Sequence, residues 1–420
     1  MIHVTPLALT PAGGASPRRL ATIALGLCPL AAGVSGCAER PAAPVTTTRD
    51  SAGIVIVESA APAWPVGEGW TVDTAAVLDL TRTGEGPEHE LFRVQDVLRL
   101  TDGSFAVALP TEIRLFSRSG EYIATVGREG EGPGEFLRLS RLVLLEPDSL
   151  IAYDYWQRRA MVYGPGLEVA RVVRFDREHM RRESFDVLDD GFVFMESWPS
   201  VLVQDAPIGL VRMPLPVLRA TRTGEIVDTV AIAAGSESVR LRTERGIADA
   251  MPAFGRDSHL AVHQGRIVLG DAVGLDYRVL GPTGEVERIV RASFDTTLPQ
   301  DILEAERHAR LGDDPSPTRI RFWEDLPIPA DRPAYAELVV DATGAVWLKE
   351  HRGELVNRLS EDLHPWEVFS PEGVWLGPVA LPANLTVFEI GADYVLGVFP
   401  DELDVEHVAI LPLSRSPDSR

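Results

Sequence analysis

The chain has 420 residues, of which 45% are hydrophobic, and a formal net charge of −22 at pH 7. A chain of this length can bury a large apolar core, and its acidic character argues against binding to nucleic acid or to anionic lipid headgroups. Its two cysteines, Cys28 and Cys37, both lie near the N-terminus, so no disulfide framework stabilises the remainder.

The first 37 residues have the parts of a bacterial export signal. Arg18 and Arg19 precede an apolar run, residues 20–30, that is too short to cross a bilayer as a stable helix. Small residues then lead to Cys37, and Val34-Ser35-Gly36-Cys37 resembles the lipobox of bacterial lipoproteins. The alternative is an ordinary secretory signal in which the cysteine is fortuitous.

The lipobox resemblance implies that residues 1–36 are a signal peptide and that Cys37 becomes the acylated first residue, which attaches the chain to a membrane. Residues 1–36 contain two arginines and no acidic residue, so the net charge of the remainder is −24. In lipoprotein families a residue other than aspartate after the cysteine, here Ala38, indicates the outer membrane. We therefore expect the protein in the cell envelope, on the periplasmic face of the outer membrane.

The segment after the cysteine changes character at Gly53. Residues 37–52 are rich in Ala, Pro and Thr without apolar periodicity, which predicts a flexible tether. Gly53 opens a β-branched run, residues 54–57, that predicts the first strand. Short strands and turns continue from here to residue 413, so residues 53–413 are interpreted as one all-β domain.

Similar turns recur along this domain, and a short apolar strand follows each of them. Glycine and aspartate are expected where a backbone reverses tightly. The turns are Asp102-Gly103, Asp148-Ser149, Asp190-Gly191, Gln264-Gly265, Thr343-Gly344 and Gly391-Ala392. Three of the intervals between them match the ~40–50-residue period of a propeller blade, and the others are longer. Six such turns predict six blades.

A second turn follows the first within a blade, as at Ser119-Gly120 and Thr283-Gly284. The second turn comes 17 residues after Gly103 in one blade and 19 residues after Gly265 in another. This spacing leaves room for two strands and the turn between them, which predicts a four-stranded meander.

Two segments lengthen the intervals between blades. Residues 235–254 are polar and rich in Arg and Glu, and we interpret them as a partly helical insertion. Residues 297–311 predict a surface helix, because Thr297 is a possible cap, Pro299 suits the first turn and acidic residues precede basic ones. Pro315 and Pro317 are expected to end it.

The last unit has only three strands, and residues 414–420 are predicted to be a disordered tail. The missing strand is expected from the N-terminal part of the domain, within residues 70–80. A strand supplied in this way joins the first and last parts of the chain and closes the ring.

The segment Gly127-Arg128-Glu129-Gly130-Glu131-Gly132-Pro133-Gly134-Glu135-Phe136 resembles the GxxGxGPGEF signature of bacterial six-bladed propeller proteins related to NHL repeats. Gly84-Glu85-Gly86-Pro87 is a weaker copy, and residues 341–347, 366–369 and 393–398 resemble the final blades of that family. The resemblance covers most of residues 53–413 and departs most between 181 and 271. It implies a six-bladed β-propeller and assigns no activity.

The motifs indicate no reaction. The glycine-rich loop at 130–134 contains neither lysine nor a hydroxyl residue, so it is interpreted as a turn between blades rather than a phosphate loop. His259 and His263 are close in sequence, but the residues between them predict a strand, not the helix on which they would share a metal. No Asp-x-Asp-x-Asp loop or Gly-x-Ser-x-Gly elbow occurs, so we predict no metal, cofactor or catalytic residue.

Two clusters of aromatic and charged residues are candidates for ligand binding. Tyr153, Asp154 and Trp156 follow an inner strand, and Arg321 and Trp323 follow the helical insertion. Loops on one face of a propeller surround its central channel, so side chains there can hold a ligand. The alternative is that these aromatic side chains wedge between blades.

These observations predict a lipid-anchored envelope propeller that serves as a binding or scaffold module for a protein, peptide or glycan. The alternative is a metal-dependent envelope enzyme of the lactonase or lyase type, with its site at the propeller axis. The binding module is favoured because no catalytic constellation is found.

Overall fold

The structure is a computed structural model. It describes residues 45–145, 149–175, 181–197, 208–243, 246–360 and 362–415. Cys37, the predicted signal peptide and residues 416–420 of the predicted tail lie outside the described residues. Within the described residues no helix is long and apolar enough to cross a membrane.

Most of the chain forms short antiparallel strands, as the spacing of its turns predicts. The strands are β1 (Thr46–Ser51), β2 (Ile54–Ser59), β3 (Thr71–Val72), β4 (Leu78–Asp79), β5 (Asp96–Arg99), β6 (Phe105–Ala108), β7 (Ile113–Phe116), β8 (Tyr122–Val126), β9 (Arg128–Glu129), β10 (Glu135–Phe136), β11 (Leu139–Leu145), β12 (Ser149–Asp154), β13 (Arg159–Tyr163), β14 (Val169–Arg174), β15 (Arg181–Leu188), β16 (Gly191–Ser197), β17 (Gly209–Arg212), β18 (Leu215–Thr221), β19 (Ile226–Ala233), β20 (Glu237–Thr243), β21 (Gly246–Ala250), β22 (His259–His263), β23 (Arg266–Gly270), β24 (Leu275–Leu280), β25 (Val286–Ala292), β26 (Tyr335–Val340), β27 (Val346–Glu350), β28 (Leu363–Phe369), β29 (Trp375–Pro382), β30 (Thr386–Ile390), β31 (Tyr394–Pro400) and β32 (Glu406–Ser414). The helices are α1 (Gln300–Leu311), α2 (Pro317–Asp325) and α3 (Val356–Leu359), with 3₁₀ turns at Leu80–Arg82 and Pro87–His89.

Six sheets are arranged as the blades of a propeller. Blades 1 to 5 are the meanders β5-β6-β7-β8, β11-β12-β13-β14, β15-β16-β18-β19, β22-β23-β24-β25 and β26-β27-β28-β29, and blade 6 is built on β30-β31-β32. The first strand of each blade contacts the first strand of the next, and β30 of blade 6 contacts β5 of blade 1. The six inner strands therefore form a closed ring, and the predicted all-β, six-bladed propeller is confirmed.

Blade 6 is completed by the N-terminal segment that the strand count requires. Leu78 and Asp79 of β4 pair with Ile410 and Ala409 of β32, and the two residues of β3 pair with the end of the same strand. This confirms that residues 70–80 supply the missing strand.

The C-terminal end of the chain is ordered further than predicted. β32 runs to Ser414, and the Arg415 guanidinium lies 2.8 Å from the Asp341 carboxylate and 4.1 Å from the centre of the Trp70 ring. Residues 414 and 415, assigned to the predicted tail, therefore take part in closing the ring.

The two ends of the blades differ, and we name them. Because each strand reverses direction, the turns between first and second strands and between third and fourth strands share one end, the turn face. The opposite end, the loop face, carries the turns between second and third strands and the links between blades. The inserted elements β17, β20, β21, α1, α2 and α3 all belong to the loop face.

The N-terminal strands β1 and β2 extend blade 4 and were only partly predicted. β2 lies parallel to β25 and β1 lies antiparallel to β2, which gives a six-stranded sheet. β1 occupies positions assigned to the predicted flexible tether, so the structure shortens that tether at its C-terminal end. The side chains of β1 are largely exposed, which is why its polar sequence lacks the apolar alternation of a packed strand.

Both insertions differ from the sequence-based interpretation. The described residues of the segment 235–254 are not helical: β20 and β21 pair with each other, and β20 pairs with β17, in a separate three-stranded sheet. The predicted helix begins at Gln300, with Pro299 rather than Thr297 at its cap. Pro317 does not end a helix but begins α2, where the Ser316 side chain accepts a hydrogen bond from the Arg319 N–H.

The glycine-rich segment 127–136 is the link from blade 1 to blade 2, as interpreted from the sequence. Phe136 is fully buried between these blades, and the Glu135 carboxylate accepts hydrogen bonds from the Gly132 N–H and the Arg128 side chain. The guanidinium of the buried Arg159 donates to the carbonyl oxygens of Glu131, Gly132 and Glu135. The shape of this loop therefore comes from internal hydrogen bonds and needs no bound phosphate.

Candidate functional site

A cavity of about 600 Å³ lies on the propeller axis. Its walls come from the inner strands β11, β15, β22, β26 and β30, together with β12 of blade 2. The side chains that carry charge or aromatic rings in this lining are Arg138, Arg141, Tyr153, Tyr155, Phe185, Asp186, His259, Glu337 and Phe388. We call this space the axial cavity; its volume is in the usual range for small-ligand sites.

Blade 2 contributes two arginines to the axial cavity. Arg141 makes one ion pair, with Asp96 at 3.4 Å, and 40% of its side chain stays exposed within the channel. Arg138 precedes β11 at the loop face and makes no ion pair within the described part of the chain. One side of the cavity therefore offers guanidinium N–H donors that are not fully used.

Aromatic side chains surround Arg138 where the cavity meets the loop face. The Arg138 guanidinium lies 5.6 Å from the centre of the Tyr155 ring and 5.7 Å from that of Trp156. Trp156 is 61% exposed although it is a large apolar side chain. This Arg138–Tyr155–Trp156 group, which we call the mouth, places an accessible indole beside a cation.

Carboxylates hold neighbouring inner strands together around the channel. Each accepts a backbone N–H from the next blade: Asp96 from Leu142 at 2.8 Å, Asp186 from Val262 at 3.1 Å and Glu389 from Arg99 at 3.0 Å. These bonds fix the register between blades 1 and 2, 3 and 4, and 6 and 1.

The same carboxylates share one cation, Arg141. Burial raises the pKa of Asp96, Asp186 and Glu389, and the nearby positive charge of Arg141 opposes that rise in each case. The charge of Asp96 in turn raises the pKa of Arg141. Arg141 therefore stays charged and stabilises the ionised form of the buried acids.

Two buried polar atoms in the cavity lining are Ser184 Oγ and His259 Nε2. Neither has a hydrogen-bond partner among the described residues. The His259 ring packs against Tyr335 with 5.4 Å between ring centres, and burial lowers the pKa of His259. Unpaired buried polar atoms are rare in folded proteins because each one loses its hydrogen bonds to water. Their occurrence in the walls of one cavity is consistent with a polar occupant.

The first predicted cluster is divided by the structure. Tyr153 lines the axial cavity and stacks on Phe185, with 4.3 Å between ring centres, while Trp156 lies at the mouth. Asp154 is fully buried and does not line the cavity; it accepts hydrogen bonds from the Leu137 N–H and from Gln157. The carboxylate of Asp154 therefore has a structural role in the turn after β12.

The second predicted cluster lies elsewhere on the loop face. Arg321 and Trp323 belong to α2, which packs against α1, and neither side chain lines the axial cavity. Arg321 is exposed and Trp323 is half-buried. The structure does not bring these residues into the cavity with Tyr153, so their role in binding stays a prediction.

No metal centre is formed within the ranges that the structure describes, where no three His, Cys, Asp or Glu side chains approach closely enough to hold an ion. His259 and His263 lie on the strand β22, as the sequence predicts, rather than on a helix.

Sequence reasoning missed Arg138, Arg141 and Asp186, which line the cavity, and Asp96 and Glu389, the buried carboxylates beside Arg141. A usable signal was present, because Asp96, Asp186 and Glu389 each occur in the first strand of a blade. A charged residue within an apolar inner strand is unusual unless it is paired, so it indicates the channel.

Comparisons with known proteins agree with this architecture. The family model of DUF5128, described as a 6-bladed beta-propeller, matches residues 95–197, which correspond to β5 through β16. No curated protein matches the chain.

Solved structures similar to this chain are also distant. A candidate exported protein of Bacteroides fragilis is 13% identical, with a TM-score of 0.48, and the match covers 86% of this chain and 99% of that one. A DUF4221 family member of Bacteroides vulgatus is 8% identical, with a TM-score of 0.45 and coverage of 78% and 95%. Virginiamycin B lyase of Staphylococcus aureus is 9% identical, with a TM-score of 0.37 and coverage of 77% and 96%. At such identities the similarity concerns the fold alone.

Proposed function

We propose that this protein is a binding module of the cell envelope, anchored by acyl chains on Cys37 to the periplasmic face of the outer membrane. Its ligand, a protein, peptide or glycan, enters the axial cavity from the loop face. The observation that carries this proposal is the axial cavity itself, which is large and polar and has an exposed Trp156 at its mouth.

The distribution of exposed apolar side chains supports use of the loop face. Exposed large apolar residues on loop-face segments are Phe92, Trp156, Ile208, Leu210, Ile247, Met251, Val273, Ile320, Phe322, Ile328, Leu403 and Val405. The turns of the turn face carry none among the described residues. Exposed apolar surface concentrated on one side of a soluble domain is typical of a binding surface.

The binding proposal is tested with the full chain, purified in detergent, on arrays of peptides and envelope glycans. We expect Trp156→Ala to lower binding at least about ten-fold, since an aromatic contact at a ligand site contributes roughly 1.5–3 kcal/mol when fully buried. Trp323→Ala is the matched control, because it removes the same side chain from α2, outside the cavity. Loss of binding in Trp323→Ala with full binding in Trp156→Ala would refute the axial site.

The anchoring proposal is tested separately in cells. Metabolic labelling with a radioactive or clickable palmitate should label the wild type, and Cys37→Ser should be unlabelled and released from membranes by washing. Cys28→Ser is the control and should keep both label and membrane attachment. Equal labelling of all three proteins would contradict acylation at Cys37.

The alternative, a metal-dependent lactonase or lyase, has no specific observation in its favour. The axial carboxylates Asp96, Asp186 and Glu389 accept hydrogen bonds from the backbone, and no ligand set for a metal is found in the described residues. We therefore derive no reaction for this chain.

A further inference from the structure

The arginines of the axial cavity have more donors than their surroundings use. A guanidinium has five N–H groups. Arg141 uses them for a single 3.4 Å contact with Asp96, and Arg138 makes only ring contacts within the described residues. In a chain with 62 acidic residues, an arginine at a cavity mouth that has no carboxylate partner among the described residues indicates a site for an acceptor brought by the ligand.

Among the described residues, the other charges of the cavity have partners, and Arg141 is offset by the neighbouring carboxylates of Asp96, Asp186 and Glu389. Glu337 is paired with Lys349, the only lysine of the chain, at 2.9 Å. Asp186 lies in β15 and its two oxygens accept the N–H groups of Val187 and Val262. The exposed charge at the mouth is therefore that of Arg138.

An extended peptide backbone is poorly suited to the channel wall. A bound peptide commonly adds to a sheet by pairing with free backbone groups of an edge strand. Here the N–H groups of Arg99, Leu142 and Val262, on three inner strands, are already bonded to carboxylates. A ligand in the cavity is therefore recognised mainly by side chains.

The side chains that remain available suit a sugar ring. The exposed indole of Trp156 offers a flat apolar face, and Ser184 Oγ and His259 Nε2 are hydrogen-bonding atoms without partners among the described residues. A pyranose ring has an apolar face bordered by hydroxyl groups, so it matches an aromatic surface that is flanked by polar atoms.

We propose that the axial cavity binds a carboxylate-bearing saccharide, with the carboxylate on the guanidinium group of Arg138 and a sugar ring stacked on Trp156. This inference rests on the proposed binding function and specifies its ligand. A planar guanidinium can hold a carboxylate through two parallel hydrogen bonds, which distinguishes an acidic sugar from a neutral one.

The experiment is calorimetric titration of the detergent-purified full chain with trimeric uronates, namely galacturonate, glucuronate and mannuronate. Each is compared with its methyl ester, which keeps the rings and removes the charge. We expect at least one uronate to bind, and its ester to bind about ten- to a hundred-fold more weakly, which is the usual range for hydrogen bonds to a charged group.

Substitutions of single arginines identify the residue that binds the carboxylate of the uronate. Arg138→Gln should weaken binding of the uronate about ten-fold without changing binding of the ester, and Arg138→Lys should give an intermediate value. The Arg138 side chain makes no hydrogen bond within the described residues, and its carbonyl oxygen keeps the bond from the Tyr155 N–H in every variant, so these variants should fold normally. Arg307→Gln is the matched control, an exposed arginine on α1 outside the cavity lining, and should bind like the wild type.

Three outcomes would overturn the inference. They are equal binding of uronate and ester, absence of binding to all three uronates, and Arg138-dependent binding of a triglutamate peptide in place of the sugars. If Trp156→Ala abolishes array binding while no preference for the charged sugar is found, the binding function stands and only the saccharide assignment fails.

Discussion

The turn face and the loop face of this propeller lie at opposite ends of the same strands, but their connections differ in length and in internal hydrogen bonding. On the turn face, two hairpin turns per blade are short and rich in Gly, Asp, Ser and Thr, and their side chains bond to their own backbone. Asp102, for example, accepts hydrogen bonds from the N–H and hydroxyl of Ser104, and Asp341 does the same for Thr343. On the loop face, the links are long, carry three helices and an additional sheet, and expose apolar side chains.

Because of this difference, we expect substitutions on the two faces to affect different properties of the protein. Turn-face residues are fixed by close packing against the neighbouring blade, so substitutions there should reduce stability. Loop-face residues at the mouth have few internal partners, so substitutions there should reduce binding and leave stability unchanged. Four predictions follow this division, ordered by their expected effect on the free energy of unfolding.

The largest effect is expected from a turn-face glycine. Gly284 has a φ of +92°, and a Cβ there would clash with the carbonyl oxygen of Val230 in blade 3. Gly284→Ala should lower the free energy of unfolding by about 3 kcal/mol, from positive-φ strain together with overpacking. The control is Gly209→Ala on the loop face, where φ is also positive but nothing lies within 4 Å, so only about 1 kcal/mol is expected. If chemical denaturation shows that both variants lose the same free energy of unfolding, the proposed difference between the two faces is wrong.

Arg159 tests a loop-face link that internal hydrogen bonds hold in place, as they do the turns of the turn face. Replacing it by Met removes the donors to three carbonyl oxygens of the glycine-rich link, and we expect a loss of about 3 kcal/mol. Arg138→Met replaces a side chain of the same region that makes no hydrogen bond among the described residues, and should change stability by less than about 0.5 kcal/mol. Thermal unfolding of the two variants measures the contrast, and a stable Arg159→Met protein would contradict the assigned role.

Glu367 lies in β28, between the two faces. Its raised pKa should make the free energy of unfolding depend on pH. Burial raises the pKa of Glu367 to about 7, so this group stabilises the fold at low pH and that contribution is lost as pH rises from 4.5 through 7. Glu367→Gln keeps an acceptor for the Trp375 indole N–H and should be more stable than wild type by about 3 kcal/mol at pH 8.5 and nearly equal at pH 4.

Two buried histidines change the stability with pH in the opposite direction, so their contribution must be distinguished from that of Glu367. Burial lowers the pKa of His351 to about 3 and of His364 to about 4, so stability is lost as pH falls below about 6.5, where the unfolded histidines gain protons. Because both proteins carry these histidines, the difference between variant and wild type isolates Glu367. A difference that does not grow with pH would contradict the raised pKa.

Trp156 should have the smallest effect on stability. Trp156→Ala removes an exposed side chain and should change the free energy of unfolding by less than about 0.5 kcal/mol, although it lowers ligand binding. The control is Phe116→Ala, a fully buried ring of blade 1, which should cost about 3–5 kcal/mol. A marked loss of stability in Trp156→Ala would mean that the indole wedges between blades, the alternative recognised from the sequence.

Much of the fold was predictable because a propeller repeats. Turn chemistry at Gly103, Gly265 and Gly344 gave the blade count, and a blade with only three strands required a fourth from the N-terminal segment. The insertions were not predictable in the same way. Pro317 signals both the end of one helix and the first turn of another, and only the Ser316 cap distinguishes the two.

The candidate site was predicted less completely than the fold. Trp156 and Tyr153 stood out as aromatic residues after an inner strand, and they do lie at the mouth and in the wall of the cavity. Asp154 looked equivalent, but a carboxylate at a strand end serves equally well to fix a turn. Arg138 and Arg141 were missed because local sequence does not show that five inner strands converge on one space.

The pairing of β4 with β32 has a consequence for how the molecule matures. Asp79 and His407 are 2.9 Å apart in space and 328 positions apart along the chain, so the N-terminal strand has no partner until almost all of the polypeptide is available. Individual blades can form earlier from local contacts, but the ring of blades cannot close until β32 has been synthesised. Closure of the ring is therefore the last step that the order of strands along the chain allows.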